Sequence, residues 1–286
     1  MKSIFKSLML VSLLTFSSYS WNTLDSLLTF SDTLRVLAIL AHPDDEVGLT
    51  GLISSKIQQE NLLATRSTMA VLTLTDGRYE PCAYTKDYLG NITILSRGCP
   101  CDTTAKDSTA YYCPDKMGLF RLGRMKEAKA ILGMTNYFFP MNSYLSNHPY
   151  SYGVDSIKSW IKRYNPTVLV THNLQGDYQV AGFNKVEHNQ VSKLVTDAVN
   201  SLSPKERPKY FYYTVHKFVD IYGKDLQLPA TGSPSPTDSI NNLYYFGSLL
   251  WDKVYEASQK YDGSYYYKDI ERVAPAYKHN LFYRVY

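Results

Sequence analysis

No G-x-G-x-x-G run follows the first apolar segment of this chain, which argues against a dinucleotide-binding protein. No Lys/Arg cluster is present, and a net charge of +4 over 286 residues is weak ground for a nucleic-acid partner. The apolar stretch from Leu8 to Phe16 is too short to span a bilayer. Histidine is scarce, six in all, so histidines falling near one another in the fold would carry information. Cysteine is scarcer still, and no internal repeat is visible. What remains, 44% hydrophobic and 20% charged residues, suits one sizeable α/β domain or one domain with an insertion.

The N-terminus has a basic start (Lys2, Lys6), the short apolar core Leu8–Phe16 and small residues up to Ser20. This is the pattern of a secretory signal peptide over residues 1–20, leaving 21–286 as one domain. Loss of Lys2 and Lys6 with the leader lowers the net charge from +4 to +2. The expected location is therefore exported: secreted, periplasmic or a secretory-pathway lumen, with no stable membrane span after cleavage. The four cysteines, Cys82, Cys99, Cys101 and Cys113, fall in one segment, 80–117. In an exported protein they read as two disulfides stapling a loop. A structural zinc is the competing reading, but paired C-x-x-C knuckles are missing. Joining Cys99 to Cys101 across one residue would be strained, and the other two connectivities both stay open.

Apolar runs alternate with helical patterns along the chain. Strands are expected at 36–41, 69–75, 137–139, 168–171 and 210–215, and helices at 45–59, 121–132, 154–164 and 186–202. Leu122, Met125, Ala128 and Leu132 share one helical stripe; Val191, Leu194, Val195, Ala198 and Leu202 share another. Such alternation predicts a doubly wound, mostly parallel, Rossmann-like α/β sheet. The cysteine segment is too long for a plain connection and reads as a folded insertion. The tail is rich in tyrosine, as at Tyr265-Tyr266-Tyr267. Such rings suit a sugar groove, although buried packing accounts for most tyrosines.

The run Val36–Ala41 ends abruptly in His42-Pro43-Asp44-Asp45-Glu46. An apolar run without alternation is a strand buried on both faces. Open α/β sheets bind ligands at the carboxyl ends of such strands. Pro43 disfavours helix at His42 and suits the first position of the following helix. His42 and Asp45 then face one point from either side of a sharp turn, which makes two-thirds of an open three-ligand zinc site. Asp44 lies beside that point without ligating it. Acids in a first helical turn are also favoured by the helix dipole alone; the preceding His-Pro is what makes the run distinctive.

Ala41-His42-Pro43-Asp44-Asp45-Glu46 resembles the A-H-P-D-D-E signature of the PIG-L/LmbE-like zinc-dependent N-acetylglucosaminyl deacetylases. Thr171-His172-Asn173, Gly176-Asp177-Tyr178 and His188-Asn189-Gln190-Val191 are similar to that family's later motif, T-H-N-x-x-G-E-Y-G-H-x-x-H-x-x-V. Thr73-Leu74-Thr75-Asp76-Gly77 and Arg124-Met125-Lys126-Glu127 are softer matches. The resemblance implies Zn2+ held by His42, Asp45 and His188, with Asp44 as general base and Tyr178 polarising the substrate carbonyl. It makes Arg124 a substrate contact, although an exposed arginine pairing along its helix fits the same pattern. Lys185 stands where the family has a supporting histidine, and about five extra residues separate Tyr178 from His188. A lysine there supplies charge but no imidazole proton transfer near neutral pH.

The implied function is hydrolysis of the N-acetyl group of an N-acetylglucosamine-type sugar or conjugate. The partner is an acetylated amino sugar, not nucleic acid. The alternative is a catalytically degenerate, secreted glycan-binding protein of the same fold, which the Lys185 replacement favours and the retention of both Asp44 and Asp45 disfavours. The cysteine reading is directly testable. Denatured, unreduced protein should show no free thiol; four free thiols with a second bound zinc would refute the two disulfides.

Overall fold

A computed structural model describes residues 27–28, 33–61, 67–78, 84–86, 92–94, 113–138, 149–174, 186–215, 238–241, 249–261 and 279–284. The strands are β1 (Arg35–Leu40), β2 (Thr68–Thr73), β3 (Tyr84–Lys86), β4 (Ile92–Ile94), β5 (Thr135–Phe138), β6 (Val168–Thr171), β7 (Tyr210–Val215), β8 (Asp238–Asn241) and β9 (His279–Arg284). The helices are α1 (Asp45–Asn61), α2 (Pro114–Ile131), α3 (Tyr150–Tyr164), α4 (Val186–Asn200) and α5 (Leu249–Ser258).

Seven strands form one sheet in the order β5-β2-β1-β6-β7-β9-β8. The first five are parallel; β9 joins β7, and β8 joins β9, antiparallel. The expected doubly wound parallel core is present. The antiparallel extension and α5 come from the tail, where no pattern had been legible. A separate antiparallel pair, β3–β4, lies within the 80–117 segment. Among the described residues no helix is long and apolar enough to cross a membrane.

Strand alternation builds two cores. Val36, Ala38 and Leu40 of β1 point to one side, with Ile53 and Ile57 of α1, Met125 and Ala128 of α2, and Val254 of α5. Leu37, Ile39 and Ala41 point to the other, with Ile157 and Ile161 of α3 and Val191, Leu194 and Val195 of α4. β1 is thus buried on both faces, which is why its sequence carries no polar alternation.

α2 begins at Pro114, seven residues before the expected start, with Cys113 at its N-cap. Cys113 is disulfide-bonded, while Cys82, Cys99 and Cys101 lie outside the described residues. α2 also buries a lysine. Lys129 is fully enclosed and its ammonium donates to Thr73 Oγ1 (2.8 Å) and Asn136 Oδ1 (3.1 Å).

Burial lowers the Lys129 pKa to about 8, against the opposing pull of Glu46 and Asp45. An unfolded lysine holds its proton to about pH 10.4. Between these values the unfolded chain binds the extra proton, so this group makes stability rise with pH. The denaturant midpoint should therefore climb from about pH 8 to pH 10 in the wild type and stay flatter in Lys129→Met, by the same linkage. An equal climb in both proteins would assign the effect elsewhere.

Candidate metal centre

β1 leads through α1 to β2 on one side, and the chain later returns to place β6 on the other side of β1. The crevice between the carboxyl ends of β1 and β6 is therefore the topological switch point, where open α/β sheets bind ligands. His42 leaves β1 into this crevice. His172 leaves β6 into it, and His188 enters from the first turn of α4.

α1 starts at Asp45, where the sequence pattern put it; Pro43, which suits a first helical position, instead forms a turn with Asp44. Asp45 Oδ2 accepts the His42 N–H at 2.8 Å, closing the loop by a side-chain mimic of a backbone turn. Asp44 consequently sits at φ 110°, a region L-residues rarely adopt. Such strain costs about 1–3 kcal/mol and persists where surrounding contacts over-determine it.

His42, Asp45 and His188 form a three-residue cluster whose donor atoms lie within 4.8 Å of one another. His42 Nδ1 is 3.1 Å from His188 Nε2 and 3.6 Å from Asp45 Oδ2; His188 Nε2 is 3.4 Å from Asp45 Oδ1. Nitrogen and oxygen donors about 2.0–2.2 Å from a tetrahedral zinc stand roughly 3.3 Å apart, so the edges fit. The protonation states fit as well. Burial lowers the His42 pKa to about 4, although Asp45 pulls the other way. Burial alone would raise Asp45, but the charge and hydrogen bonds of His188 and His172 together outweigh it and hold the carboxyl well below the usual range. At neutral pH the set therefore offers a neutral imidazole nitrogen and a carboxylate.

His172 is as close but is otherwise engaged. Its Nε2 accepts the Ala41 N–H at 2.9 Å, which commits that lone pair to the backbone. Its ring stacks on His188, with centroids 4.0 Å apart and planes at 23°. His172 thus orients the His188 ring and is poorly placed to ligate.

Asp44 lies beside the cluster. Its Oδ2 is 2.6 Å from the Arg121 guanidinium, and its N–H donates to Glu46 Oε2 at 2.9 Å. Arg121 also donates to the carbonyls of Pro43 and Gly77, tying the β1–α1 turn to the end of the β2 segment. Gly77 has φ 62°, and a Cβ there would come within 2.7 Å of the guanidinium. Glycine serves both the backbone and the passage of Arg121.

Sequence reasoning missed Arg121. A signal was present: Met117, Arg121, Met125 and Ala128 recur at helical spacing and are all buried. Arg124, three residues on and at the rim of the buried stripe, is one-third exposed; it pairs with Glu127 at 3.3 Å and lies over the Phe120 ring. The structure does not bring it to the cluster. Tyr178 and Lys185 lie outside the described residues.

A doubly wound sheet that carries a His–His–Asp cluster at its switch point defines an α/β protein with the donor set of a metal site. The chain belongs to the PIG-L family, described as GlcNAc-PI de-N-acetylase, whose model matches residues 37–199. That segment runs from β1 almost to the end of α4 and contains the whole cluster. No curated protein matches the chain in sequence. Among solved structures it is similar to the 4-carboxy-2-hydroxymuconate hydratase GalB of Pseudomonas putida, at 14% identity, 88% of this chain and 96% of that chain, TM-score 0.58. It is also similar to the N,N'-diacetylchitobiose deacetylase of Pyrococcus horikoshii, at 13% identity, 90% and 85% coverage, TM-score 0.53. A triple mutant of a deacetylase from the teicoplanin biosynthetic pathway gives 14% identity, 87% and 98% coverage, TM-score 0.51. At such identities these likenesses establish the shared fold.

The cluster makes a sharp distinction between two neighbouring histidines. His42→Ala, Asp45→Ala and His188→Ala should each abolish stoichiometric zinc binding, measured by elemental analysis. His172→Ala should retain zinc with weakened affinity, about 10- to 100-fold, as for loss of a group that orients a ligand. Full zinc in His188→Ala and none in His172→Ala would reverse the assignment.

Proposed function

We propose that this chain is an exported, zinc-dependent hydrolase that removes the N-acetyl group from an N-acetylglucosamine-type sugar or conjugate. The observation that carries the reading is the pairing of a three-donor cluster with a non-ligating carboxylate, Asp44, in a chain of the PIG-L family. The donors lie in a cleft at the sheet's switch point, where a fourth position would admit water or an acyl oxygen.

His42, Asp45 and His188 would hold zinc, which when bound would supply Lewis acidity toward water and an acyl oxygen. The protein's own groups do the rest. Asp44 accepts a proton from the attacking water as the carbon–oxygen bond forms. Arg121, 2.6 Å away, fixes the orientation of that carboxylate. Asp44 then returns the proton to the departing nitrogen as the carbon–nitrogen bond breaks, giving acetate and a free amine. Tyr178 is proposed to donate to the developing oxyanion. Arg124 and Lys185 are proposed as sugar contacts, Lys185 adding positive charge in place of the family imidazole. The leader at 1–20 and disulfides among Cys82, Cys99, Cys101 and Cys113 complete the picture of an exported enzyme.

A glycan-binding protein without catalysis is the second reading, favoured specifically by Lys185 at the histidine position. Asp44→Asn separates the two. The amide keeps the size of the side chain and an acceptor for Arg121 but removes the base. Zinc content and ligand affinity should be retained, while acetate release from acetylated amino sugars should fall by about 10²–10⁴-fold. Release that survives within a few-fold would eliminate Asp44 as base. Zinc-loaded wild type that releases no acetate from any acetylated amino sugar would establish the binder.

A further inference from the structure

The strained Asp44 peptide is held by a chain of contacts that leads away from the cleft. Its N–H donates to Glu46 Oε2 at 2.9 Å. Glu46 is fully buried, and its other oxygen, Oε1, accepts the hydroxyl of Tyr261. Tyr261 is also fully buried, in the helical turn Gln259–Tyr261 that continues α5. It lies beyond residues 37–199, so the family-matched core does not contain it. α5 packs on α1 and α2, and the approach is close: a Cβ on Gly51 of α1 would meet Val254 of α5 at 3.2 Å.

We propose that Tyr261 is a positioning residue for the general base, acting through Glu46 on the Asp44 backbone. This rests on Asp44 being the base of the proposed hydrolysis. A buried carboxylate with one oxygen fixed by a phenol has its second oxygen fixed as well, because the two share a plane. The Tyr261 hydroxyl thereby aims Oε2 at the Asp44 N–H. That bond holds the peptide at φ 110°, while Arg121 holds the side chain from the opposite end. Neither Tyr261 nor Glu46 belongs to the donor cluster or faces substrate. Their effect is on where the Asp44 carboxylate sits relative to the attacked carbonyl. The tail segment outside the family core thus completes the geometry of a turn within it.

Tyr261→Phe keeps the ring in its apolar surroundings and removes the hydroxyl alone. Two readouts are needed: amide hydrogen exchange at Asp44, and steady-state kinetics with zinc content checked. Exchange at Asp44 should accelerate at least tenfold in Tyr261→Phe, with exchange in the β1 and β6 strands unchanged. The kcat should fall about 10- to 100-fold, as expected for a misplaced reacting group, with KM and zinc stoichiometry held. Glu46→Ala should lose as much, and the double variant should lose no more than Glu46→Ala alone, because both act through one chain. Wild-type exchange at Asp44 in Tyr261→Phe would overturn the brace. So would unchanged kcat despite faster exchange, or strictly additive losses in the double variant. If the wild type hydrolyses no acetylated amino sugar, the deacetylase reading fails separately, and the exchange measurement alone decides whether the brace exists.

Discussion

The parallel pairing of β1 with β6 is the constraint on which the site depends. Ile39 is registered against Thr171, so the residues that follow the two strands emerge side by side. His42 and His172 are therefore neighbours although 130 residues separate them in the chain. The pairing also places the first turn of α4 over the same crevice, which delivers His188. Further contacts fix the register locally: Thr171 Oγ1 donates to the Ile39 carbonyl at 2.8 Å, and His172 Nε2 accepts the Ala41 N–H. A one-residue slip would exchange the two buried faces of β1 and carry His42 out of reach of His188.

The site concentrates charge where there is little water. Asp45, Glu46, Arg121 and Lys129 are all buried. Isolated, each would be expensive; together they compensate one another, and removing one partner would leave another stranded. Arg121 neutralises Asp44, and Lys129 opposes the field of Glu46 and Asp45. Burial raises the Glu46 carboxyl despite Lys129 and the Tyr261 hydroxyl. Burial also raises the Tyr261 phenol well above its usual range, with Glu46 adding to the shift. Tyr261 therefore stays protonated and remains a donor. Such an arrangement gives little net stability. What it gives is a single arrangement of Asp44 and Asp45, and a preorganised site requires this.

Much of the parallel core was legible because it is dictated by burial. β6 and β7 fall on their expected ranges, and β1, β2 and β5 shift by a residue or two at their ends, because unalternated apolar runs have few other destinations. His42 and Asp45 could be paired from the run that couples a strand end to a helix start; His188 was reached only through the resemblance of its stretch to the family's later motif, and the fold groups the three. The tail was not. β8, Asp-Ser-Ile-Asn, has no apolar pattern and owes its pairing to β9 rather than to its own residues. Arg121 was missed for a related reason. Two arginines three residues apart are equivalent by type, and only the burial of one face of α2 tells Arg121 from Arg124. The turn that holds Asp44 at positive φ likewise depends in part on a contact distant in sequence: Arg121 reaches it only once α1 and α2 are packed.

The fold by itself does not choose the reaction, since a hydratase and deacetylases both share it with this chain. The choice has to lie in what stands at the switch point. Here a carboxylate outside the three-donor cluster is fixed beside it, and its charge is countered by the Arg121 guanidinium at 2.6 Å. An ion pair of this kind has two opposing effects. It makes the carboxylate a weaker base, and it fixes the direction in which it accepts a proton. In the proposed hydrolysis a metal ion held by the cluster would acidify the water, so the first effect would cost little. On that reading the second effect decides how well Asp44 meets the proton it is proposed to take. This is why the contacts around Asp44 matter more to the proposed chemistry than its intrinsic basicity.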